Sequence, residues 1–182
     1  MRKISDLIHE YEFPYHDYLK SNKDYLIKLF EKDRRKRNLK HQANVPLDVN
    51  DPVCVFLYPK LIQIVVENYF VSNYFQPVPL SIYMQTKEDS INVLHNHYDN
   101  PGITGVTYLD PPHPQYGGGI KFTLQNINQT IVLHPQPNKL YLFPSWLYHC
   151  PLPQTTSTPR ISLNWSYVSS TFPIHKISGD RW

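Results

Sequence analysis

The sequence is poor in cysteine and glycine and contains no long apolar run. It has 2 Cys and 6 Gly among 182 residues. Cys54 and Cys150 are far apart and cannot form the dense disulfide framework of a small secreted domain, which favours a reduced, intracellular setting. No stretch approaches the roughly 18 consecutive apolar residues of a membrane span. The first residues, MRKISDLIHEYEF, lack the apolar centre of a signal peptide. We therefore expect a soluble, cytoplasmic protein with no membrane partner.

Strong net charge is also missing. The formal net charge is +3, which is too small to require a nucleic-acid partner. The densest basic run, KDRRKR from Lys32 to Arg37, lies in a pattern that predicts a helix over about 22–39. Such a run could contact phosphates, but it is more often the solvated face of a helix. A nucleic-acid partner is therefore only weakly indicated.

Tyrosine and proline are abundant, with 14 and 17 residues, and this composition favours short strands separated by rigid turns. From Pro79 onward, β-branched or aromatic runs recur at intervals of about 8–12 residues. These runs are PLSIYMQTK, INVLHNH, ITGVTYL, GGIKFTL, QTIVLHP, KLYLFP and RISLNWSYV. The spacing predicts a mainly β fold, a jelly roll of about eight strands.

The front of the chain differs from this β region. Besides the helix over 22–39, the run KLIQIVVENYFVSNYF (60–75) could form a helix or a pair of strands, and its length and the preceding Pro59 favour a helix. We interpret the chain as one domain over 1–182. It divides into a helical supporting region at 1–78, a jelly-roll core at 79–168 and a polar tail at 169–182.

The stretch LHNHYDNPG carries His95, His97 and Asp99 at alternating positions. In an extended segment these side chains point to one face and could hold a metal. His149, about fifty residues later in SWLYHCPLP, would supply a further ligand from a distant strand. Two imidazoles and one carboxylate on one side of a metal leave the other positions open for substrates. The pattern alone does not decide which of the first three residues are ligands.

A possible anion site lies further along the same region. Arg160 follows His149 by eleven residues, and Ser162 and Asn164 follow on the same strand face. An arginine fork binds a carboxylate with two hydrogen bonds and keeps its charge when buried. Tyr108, in GVTYL, could add a hydroxyl donor.

The order HYDNPG, GVTYLD, YGGGIKF, KLYLFPSWLYHCPLP and PRISLNW resembles the 2-oxoglutarate- and Fe(II)-dependent oxygenase superfamily. The resemblance covers residues 81–168. It is shared by the prolyl-hydroxylase type and by a bacterial and phage group of such oxygenases, so a virus-encoded source is also consistent. It implies a double-stranded β-helix (a cupin-like jelly roll), Fe(II), and 2-oxoglutarate and O₂ as cosubstrates. The implied reaction couples oxidative decarboxylation of 2-oxoglutarate to hydroxylation of a substrate.

The resemblance also implies roles for individual residues. His97, Asp99 and His149 match the catalytic iron ligands. The residues that match the 2-oxoglutarate site are Arg160, Ser162 and Tyr108, with Asn164 lining the pocket. The phage-like group has H-x-H without a constant acid two residues later, so His95 is the second choice for a metal ligand.

Two other functions remain open at this point. One is a cupin-like metal enzyme that does not use 2-oxoglutarate, and the other is a non-catalytic jelly-roll protein, such as a phage structural or carbohydrate-binding module. The substrate is not identified by the residues. A peptide side chain such as prolyl, a nucleobase or a small molecule would all fit the resemblance.

Overall fold

The computed structural model describes residues 4–36, 43–69, 75–77, 80–88, 93–97, 102–125 and 128–169. The helices are α1 (His16–Ser21), α2 (Lys23–Lys36) and α3 (Pro52–Tyr69), with short 3₁₀ turns at Ile4–Leu7 and Pro114–Tyr116. The strands are β1 (His9–Glu12), β2 (Ala43–Pro46), β3 (Phe75–Pro77), β4 (Ser81–Gln85), β5 (Gly102–Tyr108), β6 (Ile120–Leu124), β7 (Gln129–Leu133), β8 (Lys139–Pro144), β9 (Tyr148–Pro151) and β10 (Arg160–Ser169). The chain is therefore mainly β, as the turn spacing predicts.

Two antiparallel sheets organise these strands. The larger, seven-stranded sheet has the order β1-β8-β5-β10-β4-β2, and β3 also pairs with β10. The smaller sheet has the order β7-β6-β9. Because β5, β4 and β3 all pair with β10, this long strand lies at the centre of the larger sheet.

Alternation along β10 gives the larger sheet two different faces. One face is apolar and packs in a core with residues of all three helices; its β10 members are Ile161, Leu163, Trp165 and Tyr167. The opposite face looks toward the smaller sheet and is largely polar along β10, with Arg160, Ser162, Asn164 and Ser166. A second core joins the two sheets through aromatic residues such as Phe122 and Phe143. The helices thus support one sheet from outside, and a cavity opens between the sheets.

The second predicted helix exists but begins earlier than expected. The prediction started it after Pro59, whereas α3 runs from Pro52 and contains Pro59 in its interior. Asp51 explains the start, because its Oδ1 accepts a hydrogen bond from the amide of Val53 at 2.9 Å and Pro52 occupies the first turn. The cap and the buried apolar face outweigh the one backbone hydrogen bond that an interior proline removes. The first predicted helix, over 22–39, corresponds to α2 at Lys23–Lys36, and residues 37–42 lie outside the described ranges.

The sequence analysis described residues 1–78 as a helical supporting region, but three short strands also lie in this region. β1, β2 and β3 come from the supporting region and join the larger sheet. β1 and β2 have only four residues each and occupy its two edges. Segments this short carry almost no periodic signal, and they are extended because a neighbouring strand supplies their hydrogen bonds.

Two further predictions concern the predicted strand INVLHNH and the predicted polar tail. In INVLHNH, residues 93–97 form no regular strand, although His95 makes an isolated bridge. The predicted tail falls outside the described residues from position 170 on. No helix within the described ranges is long and apolar enough to span a membrane.

Candidate metal and anion site

Backbone pairing brings the two distant histidine segments together. His95 and His149 face each other across an antiparallel bridge, in which each amide donates to the other residue's carbonyl at 3.0 and 2.8 Å. The amide of His97 donates to the carbonyl of Ser145 at 2.8 Å. Directly paired residues project to the same face, so His95, His97 and His149 converge on the cavity between the sheets.

The three imidazoles form a compact cluster. Their candidate ligand nitrogens all lie within 4.8 Å of one another, and the Nε2 atoms of His97 and His149 are 3.3 Å apart. Adjacent nitrogen ligands on a metal, with bonds of about 2.1 Å, are separated by about 3 Å. The cluster therefore has a spacing that fits a divalent metal with imidazole ligands.

Hydrogen bonds set the tautomer of two of these rings. The Nδ1 atoms of His95 and His149 lie 2.9 Å from the carbonyls of Val93 and Leu147. A carbonyl only accepts, so each Nδ1 carries a proton and Nε2 is the ring nitrogen left to bind a metal. This is the arrangement expected of metal-binding histidines, whose other nitrogen is held by a carbonyl or carboxylate.

Two of the three imidazoles, those of His97 and His149, have lowered pKa values. Burial, together with the neighbouring His95, lowers the pKa of His97 to about 4 and that of His149 to about 3. Both values lie far below 7, so these rings keep their lone pairs there instead of binding protons. A metal can then bind without first displacing a proton.

Arg160 lies in the same cavity and is almost completely buried, with 1% of its surface exposed. Its Nη1 donates to the carbonyls of Gly118 and Gly119, and its Nε has no hydrogen-bond partner among the described residues. In the described part of the chain, no carboxylate lies within ion-pair distance of it. A buried cation without a counter-ion is costly, so this position is suited to an anionic ligand.

The glycine turn before β6 holds this arginine. Gly117 and Gly118 have φ values of 75° and 71°, a region that side-chain-bearing residues rarely adopt. A Cβ on Gly118 would lie 2.4 Å from Cγ of Pro112. The sequence predicted only a turn leading into a strand here. The sequence analysis missed the hydrogen bonds from Arg160 to the carbonyls of this turn. Every residue type has a backbone carbonyl, so the sequence does not reveal which carbonyls accept such bonds.

Hydroxyl and amide groups line the cavity next to Arg160. Ser162 lies opposite Tyr108 on one side and opposite Tyr83 on the other. Burial raises the pKa of the Tyr108 hydroxyl, so it stays protonated and able to donate. Further along, the side-chain amide of Asn164 donates to Oδ1 of Asn44 at 3.4 Å. Tyr83 and Asn44 were missed by the sequence analysis, since β2 was not predicted and β4 was not assigned a role.

The cavity has a volume of about 320 Å³. It brings together every predicted site residue that lies in the described ranges: His95, His97, Tyr108, His149, Arg160, Ser162 and Asn164. The remaining predicted ligand, Asp99, lies outside the described residues. Imidazoles that could hold a metal and a buried cation that could hold an anion therefore share one cavity.

No protein-family model matches this chain. No curated protein matches its sequence either. Similarity is found among solved structures, and three examples are informative.

Two of these are prolyl hydroxylases. One, from Trichoplax adhaerens, was solved with a peptide fragment of the oxygen degradation domain of hypoxia inducible factor. It has a TM-score of 0.67 and 14% identity over 91% of this chain and 84% of its own. The other is the viral collagen prolyl hydroxylase of Paramecium Bursaria Chlorella virus-1. It has a TM-score of 0.64 and 14% identity over 93% of this chain and 94% of its own.

The third is HygX from Streptomyces hygroscopicus, solved with nickel and 2-oxoglutarate bound. Its TM-score is 0.68, with 12% identity over 91% of this chain and 84% of that chain. At such low identity the similarity establishes the fold and not the activity. It confirms the predicted architecture: the chain has the double-stranded β-helix fold of the 2-oxoglutarate- and Fe(II)-dependent oxygenases.

Proposed function

We propose that this protein is an Fe(II)- and 2-oxoglutarate-dependent dioxygenase that hydroxylates a C–H bond of its substrate. In this reaction one oxygen atom of O₂ enters succinate and the other enters the substrate hydroxyl, and the carboxylate lost from 2-oxoglutarate leaves as CO₂. The observation that carries the proposal is the buried Arg160, which has no carboxylate partner among the described residues and lies in the same cavity as the histidine cluster. A structural arginine in a protein core is normally paired with an acid.

Arg160 would bind the far carboxylate of 2-oxoglutarate. Its Nη1 is already held by the glycine turn, so the guanidinium has one orientation, and its unpaired Nε is available as a donor. The guanidinium carbon lies 5.7 Å from the centre of the Tyr108 ring. Tyr108 and Ser162 are opposite each other in the sheet, so their hydroxyls can both serve this end of the cosubstrate.

The histidines would hold the metal. His97 and His149 belong to both ligand sets that the sequence leaves open, with Asp99 completing one set and His95 the other. Bound iron supplies the oxidising chemistry, while the protein orients the cosubstrate and excludes water. The apolar residues between the sheets, such as Phe122 and Phe143, provide that exclusion around His149.

The substrate is proposed only by class. A prolyl or other protein side chain is supported by the peptide bound to the Trichoplax prolyl hydroxylase, which shares this fold. Asn44, Ser81 and Asn164 line the cavity beyond Arg160 and offer amide and hydroxyl groups. Such groups suit the backbone of a peptide, although a nucleobase or a polar small molecule has similar hydrogen-bonding needs.

The direct test is anaerobic addition of Fe(II) and 2-oxoglutarate. We expect a weak visible charge-transfer band that requires both components, and slow O₂-dependent release of succinate. Arg160→Lys keeps the charge but removes the fork, so it should weaken 2-oxoglutarate binding at least tenfold. The matched control is Arg34→Ala, which removes an arginine that is 40% exposed on α2 and should leave the band unchanged.

The rival functions predict different results. A cupin-like enzyme without 2-oxoglutarate would bind Fe(II), show no such band and be insensitive to Arg160→Lys. A non-catalytic jelly-roll protein would bind neither metal nor cosubstrate. Folded protein that takes up no Fe(II) would refute the proposal.

A further inference from the structure

We propose that His95 is a direct metal ligand, so that the protein ligands are the three imidazoles of His95, His97 and His149. The ligand set then reads H-x-H at 95–97 and not H-x-D at 97–99. This inference rests on the proposed metal-dependent function and specifies its centre. It differs from the ligand set that the HYDNP motif implies, in which His95 would only support the site.

The first argument is the backbone register. His95 is the residue that pairs with His149, through hydrogen bonds in both directions at 3.0 and 2.8 Å. Paired residues in an antiparallel arrangement project to the same side with their Cβ atoms about 4.5–5.5 Å apart. His95 is therefore the residue directly opposite His149 across the bridge, and His97 lies two residues further along the same segment.

The second argument is the similar spacing of the three rings. Ring centres are 4.5 Å apart for His95 and His149, 5.1 Å for His97 and His149, and 5.3 Å for His95 and His97. The His95 ring is thus closer to His149 than His97 is, and its distance from His97 exceeds the His97–His149 distance by only 0.2 Å.

The third argument is the hydrogen bonding of His95. Its Nδ1 donates to the carbonyl two residues earlier, at Val93, and His149 does the same with Leu147, each at 2.9 Å. A histidine that supported a ligand would direct its N–H at that ligand. The N–H of His95 goes to a backbone carbonyl, which leaves its Nε2 lone pair free, as in His149. His95 is therefore built as a ligand and not as a support for one.

The ligand set has a consequence for the charge of the centre. Three neutral imidazoles leave a divalent metal with its full double charge, whereas a carboxylate ligand would cancel one unit. The dianion of 2-oxoglutarate would then be balanced at one end by Arg160 and at the other by a more positive metal. Nitrogen donors also favour Co(II), Ni(II) or Fe(II) over Mn(II) and Mg(II).

The experiment counts the histidines on the metal directly. The protein is labelled with isotopically enriched histidine and loaded with Co(II), whose unpaired electrons shift the NMR signals of bound imidazoles far from their usual positions. We expect three strongly shifted histidines in the wild type and two in His95→Ala. Asp99→Ala should keep three, and His9→Ala, a matched control at the exposed edge strand β1, should also keep three.

The wild-type count does not depend on any variant folding. Two shifted histidines in the wild type would overturn the inference, as would an Asp99→Ala protein in which Co(II) affinity falls at least tenfold while His95→Ala binds normally. If the wild type shows two histidines but retains the Fe(II) and 2-oxoglutarate band, the inference fails and the proposed function stands. If no Co(II) binds to folded protein, both fail.

Discussion

At the scale of single residues, Arg160 shows how a chain can bury a cation and keep it available. Two carbonyls of the glycine turn bind one end of the guanidinium, while its Nε stays without a partner among the described residues. Carbonyl dipoles orient the group without cancelling its charge. The positive potential of Arg160 is therefore retained in the cavity.

Gly118→Ala tests the role of the turn. The added Cβ would meet Pro112 at 2.4 Å, at a φ of 71°, so we expect the turn to shift and stability to fall by about 1–2 kcal/mol. The affinity for 2-oxoglutarate should fall at least tenfold, because the carbonyl that orients Arg160 moves. Titration of the charge-transfer band and urea unfolding measure the two effects.

Val132→Ala, on the neighbouring strand β7, is the control for that substitution. Val132 is 48% exposed, so its loss should change neither quantity appreciably. Wild-type affinity in a folded Gly118→Ala protein would contradict the proposed role of the turn.

At the scale of elements, helix α3 shows that an N-terminal cap can compensate for a proline in the helix interior. The Asp51 carboxylate accepts from the amide of Val53 through one oxygen and from the hydroxyl of Tyr25 through the other, at 2.9 and 2.5 Å. Asp51 thus starts α3 and ties it to α2. The same contact raises the pKa of Tyr25 to about 12, first through the hydrogen bond.

Asp51→Ala should therefore destabilise the fold by about 1–2 kcal/mol, since it removes a helix cap and the partner of Tyr25. Asp48→Ala is the matched control, because the Asp48 carboxylate accepts an exposed hydrogen bond from the amide of Asn50 and starts no helix. Its effect should stay below about 0.5 kcal/mol. The free energy of unfolding in urea measures both, and equal losses would show that Asp51 is not a cap of special importance.

At the scale of the whole molecule, the larger sheet separates two cores with different tasks. The core on the helix side contains Phe30 of α2, and the core between the sheets contains Phe122 of β6. The Phe122 ring lies 6.1 Å from that of His149, centre to centre. The core between the sheets therefore borders the histidine cluster.

The same substitution on the two sides should separate stability from site geometry. Phe30→Ala and Phe122→Ala remove side chains that are 2% and 0% exposed, and each should cost about 3–5 kcal/mol of unfolding free energy. Only Phe122→Ala should also weaken Co(II) binding, by about tenfold or more. Calorimetric titration of the two folded variants with Co(II) measures this affinity. Equal Co(II) affinities would show that the core between the sheets has no special effect on the histidine cluster.

Elements that are determined by their own residues were predicted from the sequence, and elements that depend on distant neighbours were not. The strands from Ser81 onward were recognisable because alternation and turn residues act within a few positions. The start of α3 was missed because the proline at 59 outweighed the weaker signal of Asp51 and Pro52. The edge strands β1 and β2 were missed because a partner strand, and not their own residues, makes them extended.

The sequence by itself determined the mainly β fold. It also contained the residue types suited to a metal and an anion, which are neighbouring histidines and an arginine on an alternating strand. Only the tertiary structure decided which residues meet. The pairing of His95 with His149 and the capture of Arg160 by Gly118 join positions 54 and 42 residues apart in the chain. Such contacts follow from strand register, and register is set by the packing of both sheets together.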